Sequence, residues 1–164
     1  MTLATLDGFS FSLFLHITAV MVGFGATFAE AIMFPIAQKL DNRHLPYVHQ
    51  LGSALNRFFA TPALVIVLAT GFYQVSEHNW SLGEAWISAT LAIVLVIAVI
   101  NIAYFIPGDR RMKAMAERDI AAAGDGEVTM SGEYLKKAQQ VGIAGTAVGI
   151  MLVAAVFLMV VKPG

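Results

Sequence analysis

The stretch 85–108, AWISATLAIVLVIAVINIAYFIPG, runs for 24 residues without a charged side chain. A helix needs about 20 apolar residues to cross about 30 Å of hydrocarbon, so this run is long enough to span a membrane. Three further charge-free runs, 8–29, 58–76 and 138–161, have similar lengths. Inside a bilayer the backbone must satisfy its own hydrogen bonds. Without the alternating pattern of a barrel, each run is therefore a helix. The sequence thus predicts an all-α polytopic membrane protein. It is a four-transmembrane-helix bundle, one membrane domain over 1–164 with spans at about 8–36, 57–77, 84–107 and 137–162.

Composition agrees. Of the 164 residues, 58% are hydrophobic and 13% charged, against about 45–50% and about 25% in soluble domains. Mean hydropathy is +0.73. A net charge of -1 gives no sign of a nucleic-acid partner. The absence of cysteine removes disulfides, thiolate metal sites and cysteine nucleophiles together. Ala29-Glu30-Ala31 has the look of a signal-cleavage site, but the preceding apolar core is too long and nothing basic precedes it. The first run is expected to be retained.

Charge sets a side. Lys39, Arg43 and Arg57 lie between helices 1 and 2; Arg110, Arg111, Lys113, Arg118, Lys136 and Lys137 lie between helices 3 and 4. Only Lys162 falls elsewhere. The positive-inside rule puts both basic connections in the cytoplasm and both termini outside a bacterial inner membrane. Trp80 and Trp86 flank the short outer turn as interfacial aromatics, and Ser81 and Glu84 have capping-box spacing ahead of helix 3. On the basic side, His44, Val48, Leu51, Leu55 and Phe58 form one face of an amphipathic lead-in to helix 2. Residues 109–123 extend helix 3 until Gly124-Asp125-Gly126, and Ser131 caps a new helix entering helix 4. This connection balances six basic against six acidic residues and reads as a solvated helical hairpin. Helices 1 and 3 both exit through Phe-Pro or Phe-Ile-Pro, which reads as a common exit signal ahead of a duplicated hairpin.

The polar residues within the spans are the functional candidates. His16, Ala19, Gly23, Ala26 and Glu30 share a face of helix 1 whose small residues favour helix contact. Gly142, Gly145, Gly149 and Leu152 form a similar stripe on helix 4, expected inside the bundle or, through Gly145 and Gly149, in a homo-oligomer or against a membrane-protein partner. Thr90, Val94, Ile97, Asn101 and Tyr104 share a face of helix 3. Glu30, Arg57, Asn101 and Tyr104 then make a polar group near the basic side. Glu30 and Arg57 emerge at similar depth, as an ion-pair clamp or as a proton or substrate site. Near the outer side lie His16, Gln74, Ser88 and Thr90. His16 is either a haem or metal ligand or a hydrogen-bond partner of Gln74, Ser88 or Thr90. A second haem histidine is not in evidence: His44 and His49 fall on the basic side, and His78 lies about 10 Å shallower by helical rise. No metal-ligand set or catalytic motif appears, so no catalytic residue is assigned.

The segments "FLHITAVMVGFGATF", "WSLGEAWISATLAIVLVIAVI", "IPGDRRM" and "MVVKPG" resemble a bacterial family of integral membrane proteins of unknown function, domain-of-unknown-function family 2269. More distantly, "FLH" and "FFATPALVIVLATGFYQV" are similar to CopD-like copper proteins and to HemJ-like protoporphyrinogen oxidases. That likeness implies His16 as a haem or metal ligand. HemJ-like enzymes share a Lys and a further His in their later helices, and the charge-free runs of helices 3 and 4 hold neither. The expected role is a non-enzymatic bundle that binds a partner or a hydrophobic ligand, with the hairpin as a docking surface. A haem-, metal- or quinone-linked protein using His16 is the second reading. A proton-coupled carrier using Glu30, Arg57 and Asn101 is the third.

Overall fold

The computed structural model describes residues 7–37 and 39–163; residues 1–6, Gln38 and Gly164 of the expected domain lie outside the described residues. Among the described residues every regular element is helical. Helix α1 covers Gly8–Ala37, α2 Leu45–Leu55, α3 Thr61–Glu77, α4 Ala85–Ile100, α5 Ile106–Ala123 and α6 Gly132–Val161. Four helical stretches are long and apolar enough to cross a membrane: Gly8–Ala37, Asn42–Glu77, Ala85–Ala123 and Gly132–Val161. The protein is a four-helix membrane bundle.

Two of these stretches carry the same local irregularity. Helix α2 passes into α3 through a widened turn at Asn56–Ala60, and α4 passes into α5 through another at Asn101–Phe105. In each, the backbone N–H five residues on, Thr61 or Ile106, donates to the asparagine carbonyl. Proline follows immediately, as Pro62 and Pro107. A proline ring inside a regular helix collides with the carbonyl four residues earlier and removes a hydrogen bond. A single wide turn accommodates the ring without ending the helix. The sequences NRFFATP and NIAYFIP thus encode one device twice: asparagine, four residues, then the residue before proline.

Packing proceeds in pairs. Helix α1 lies along α3, α4 along α6, and α2 against α5. The small-residue face of α1 makes the first pairing: a Cβ on Gly23 would sit 3.3 Å from the Ala63 Cβ. His16, Ala19 and Ala26 on that face are buried. Along α4 and the wide turn after it, Thr90, Val94, Ile97 and Asn101 are buried as their shared face requires, while Tyr104 is half-buried. The glycine stripe of α6 departs from expectation. A Cβ on Gly142, Gly145 or Gly149 would meet nothing within 4 Å, because the stripe borders open space between the two helix pairs.

A cluster of buried apolar residues lies at the basic end, where Ala37, Leu45, Val48, Met112, Ala116 and Tyr134 pack with Phe34 and several methionines. The lead-in helix turns a different face inward from the one its apolar residues suggest. Leu45, Val48, His49 and Gly52 are buried, whereas His44 is exposed and Phe58 is 65% exposed. The buried face follows its specific contacts: the His49 ring, 0% exposed, sits 5.2 Å from the Phe34 ring and shares a 2.8 Å hydrogen bond between its Nε2 and the Tyr134 hydroxyl. Ahead of the membrane run at 57, burial pushes this histidine down to about 4.

The hairpin between α5 and α6 is fixed rather than merely solvated. Gly124 takes φ +54° and ends α5. Ser131 caps α6 by accepting from the Tyr134 N–H, and Asp119 Oδ2 accepts from the Ser131 N–H at 2.9 Å. These contacts from Ser131, with the Arg118 guanidinium, hold the Asp119 carboxyl below the usual range. Arg43 donates to the carbonyls of Gly124 and Gly126, both at 2.7 Å, tying the first connection to the second. At the opposite end the expected Ser81–Glu84 capping box does not form. Glu84 is itself the N-cap, and its carboxylate accepts from Trp86 Nε1 at 2.7 Å. Lys162 Nζ sits 4.5 Å from the Trp80 ring and 5.2 Å from the Trp86 ring, closing this end with the last described turn.

Candidate functional site

Because the pairs α1/α3 and α4/α6 splay apart, a cleft of about 1160 Å³ opens between them. Most of its wall is apolar: Val20, Leu64, Val67, Leu152, Val153 and Phe157 line it, together with the three α6 glycines. Its polar groups come from the basic half of the bundle. Glu30 on α1, Asn56 and Asn101 at the two wide turns, and Asp109 on α5 all border the space.

The two asparagines satisfy one another. Asn56 Nδ2 donates to Asn101 Oδ1 at 2.5 Å, and Asn101 Nδ2 donates to Asn56 Oδ1 at 3.3 Å and to Thr61 Oγ1 at 3.2 Å. The Thr61 hydroxyl donates to Asn56 Oδ1 at 2.8 Å. Both amides are buried, so the bridge joins the two wide turns with few unmet polar atoms. The carboxylates differ. Glu30 Oε1 is buried with no hydrogen-bond partner, and Asp109 borders the same space.

The expected Glu30–Arg57 clamp is not formed. Among the described residues Arg57 makes no ion pair with Glu30; its guanidinium lies 5.6 Å from the Phe58 ring, outside the cleft. Helix geometry gives the reason. Neighbouring residues project about 100° apart, so the face that turns Asn56 inward turns Arg57 outward. Tyr104 also stays off the cleft, with Lys137 Nζ 4.2 Å from its ring. Of the four residues in the anticipated polar group, the structure brings Glu30 and Asn101 to the same cavity and leaves Arg57 and Tyr104 outside it.

The outer polar group is likewise redistributed. His16 Nδ1 bonds the Thr70 hydroxyl at 2.8 Å. Gln74 Nε2 donates to Ser12 Oγ at 3.4 Å, and the Ser88 and Thr90 hydroxyls donate to carbonyls of their own helix. His16 Nε2 has no partner. A haem does not fit there, however. The imidazole is 4% exposed, Gly71 packs beside it, and His16 does not border the cleft. His78 is taken up at the far end, its ring tilted against those of Phe9 and Trp80 with centroids 4.2 and 4.7 Å away. Among the described residues no group of three His, Asp or Glu side chains lies close enough to hold a metal ion.

Sequence reading missed Asn56 and Asp109. The signal for Asn56 was present: Asn56 and Asn101 each stand six residues before a proline, Pro62 and Pro107. For Asp109 no local signal existed, since it follows the apolar run at the start of a charged segment and resembles a solvated residue.

Four apolar spans with a polar-ended cleft define the class, an integral membrane protein. Residues 11–163 match the family described as "Predicted integral membrane protein (DUF2269)", and the chain belongs to that family. No curated protein and no solved structure matches the chain.

Proposed function

We propose that this is a non-enzymatic binding protein of the bacterial inner membrane that holds one amphiphilic molecule in the cleft between its two helix pairs. The observation that carries this reading is the cleft itself, about 1160 Å³, apolar along most of its length and polar at one end. Ligand pockets commonly enclose about 300–1,000 Å³ with mostly apolar walls and a few polar groups. This cleft has that shape and room for a lipid-sized occupant. The basic residues cluster at the polar end, so the positive-inside rule sets that end at the cytoplasmic surface and both termini outside.

The α6 glycines provide a clean test. A side chain added at Gly145 meets open space first, so Gly145→Leu fills the cleft without displacing a neighbouring helix. Native mass spectrometry of protein released from lipid nanodiscs should show one retained amphiphile per wild-type chain and a loss of at least about tenfold in Gly145→Leu. Equal occupancy in both, with helical content unchanged by circular dichroism, would overturn the proposal.

A further inference from the structure

The apolar wall of the cleft cannot select its occupant. An alkyl tail moving from the bilayer into an apolar groove exchanges one hydrocarbon surround for another, and the hydrophobic driving force that operates in water is absent. Selection therefore falls to the polar end. There, Asn56 and Asn101 spend their amides on each other and on Thr61, and are not free to grip a head group. Of the remaining polar groups, the Thr27 and Thr146 hydroxyls donate to carbonyls of their own helices, Tyr134 bonds His49, and Gln139 is neutral, so the ionisable groups left to meet a head group are acidic. Glu30 and Asp109 are the acidic residues of the lining, and among the described residues no lysine, arginine or histidine borders the cleft. Glu30 Oε1 is buried and without a hydrogen-bond donor. The cation nearest in sequence to the Asn56 turn, Arg57, is directed away. Aromatic rings of Phe24, Phe28, Phe34 and Phe105 also line the space, and their faces attract cations.

Resting on the cleft reading above, we infer that the occupant carries a cationic, N–H-bearing head, an alkylammonium amphiphile whose ammonium group sits between Glu30 and Asp109. Such a head supplies what this end of the cleft lacks: positive charge beside two acidic side chains and a donor for Glu30 Oε1. Charge-assisted hydrogen bonds of this kind are about twice as strong as neutral ones. An anionic head brings further acceptors to acidic side chains that lack a cation, and an uncharged hydroxyl supplies a donor without the charge. From Glu30 to Ala19 the α1 side of the cleft extends over eleven helical steps, about 16 Å at the helical rise, which suits a single medium-length chain.

Three probes with the same tail separate head from tail: dodecylamine, dodecanol and dodecanoate, each titrated against the full chain in nanodiscs at neutral pH. The expected order is amine, then alcohol, then carboxylate, with the amine at least about tenfold tighter than the alcohol. Glu30→Gln, near in shape to the native residue, should cut the amine's preference over the alcohol at least about threefold while leaving alcohol binding unchanged. Asp109→Asn should reduce the preference in the same direction, and the double variant should abolish it. Equal binding of amine and alcohol to the wild type, or a preference for dodecanoate, overturns the cationic-head inference while the cleft reading stands. Failure of all three to bind, or a dimer through Gly145 and Gly149 that excludes them, overturns the cleft reading and the inference with it.

Discussion

Acidification should destabilise this protein through His49. Its ring is fully buried in the basic-end core against Phe34 and Tyr134, with Nδ1 unpartnered and Nε2 bonded to a hydroxyl. No carboxylate hydrogen-bonds to it, so burial favours the neutral form and lowers it from 6.5 to about 4. Above pH 6.5 the folded and unfolded chains are both neutral at this position and stability does not depend on it. Between pH 6.5 and about 4 the unfolded chain binds a proton that the folded chain refuses, and stability falls with pH. At about 1.4 kcal/mol per pH unit, the loss accumulates to ~3 kcal/mol at pH 4. The assay is the unfolding free energy in mixed micelles, measured across this range for the wild type and for His49→Gln. Subtracting the two curves removes carboxylate contributions and isolates the histidine. A difference that stays flat from pH 7 to 4 would refute the argument, because it would mean that the imidazole is solvated or finds a carboxylate partner.

The other expectations concern the polar joints. Asn101→Leu leaves the Asn56 amide without its partner and should cost ~1–3 kcal/mol; Asn56→Leu/Asn101→Leu should cost less than the sum of the single changes, by about 1 kcal/mol given the modest size of interhelical hydrogen bonds in membranes. Strict additivity in that cycle would show that the bridge is not formed. Asp119→Ala removes the acceptor for the Ser131 N–H and should destabilise the hairpin by ~1–2 kcal/mol. It should be read as faster proteolytic cleavage across 124–130, and an unchanged cleavage rate would contradict the assigned contact.

The bundle was legible because its signal is long-range and redundant. Four runs of some twenty uncharged residues admit few structures, and the basic residues separate the two ends. The inward faces of α1 and α4 were legible too, since small or polar residues recur there at helical spacing. What sequence left open was azimuth at the helix ends. A wide turn inserts an extra residue into the helical turn, so residues before Asn56 and after Asn101 fall out of phase with those beyond. Leu51 and Phe58 accordingly face outward although their spacing suggested otherwise, and Arg57 does not meet Glu30. Similar depth in the membrane established that the pair was possible; only the rotation of α2 decided it. The Gly145–Gly149 spacing is a related case. Close packing and an open groove both demand small side chains, and the sequence pattern is the same for each.

A cleft that binds an amphiphile between the helix pairs, head group at Glu30 and Asp109, should be visible with its occupant in place. The deciding measurement is a crystal structure of the chain grown from a lipid mesophase containing dodecylamine. One elongated molecule should lie along the α6 glycines, its nitrogen within hydrogen-bond distance of Glu30 Oε1. Helix α6 packed against α1 through Gly145 and Gly149, with no space between the pairs, would contradict it.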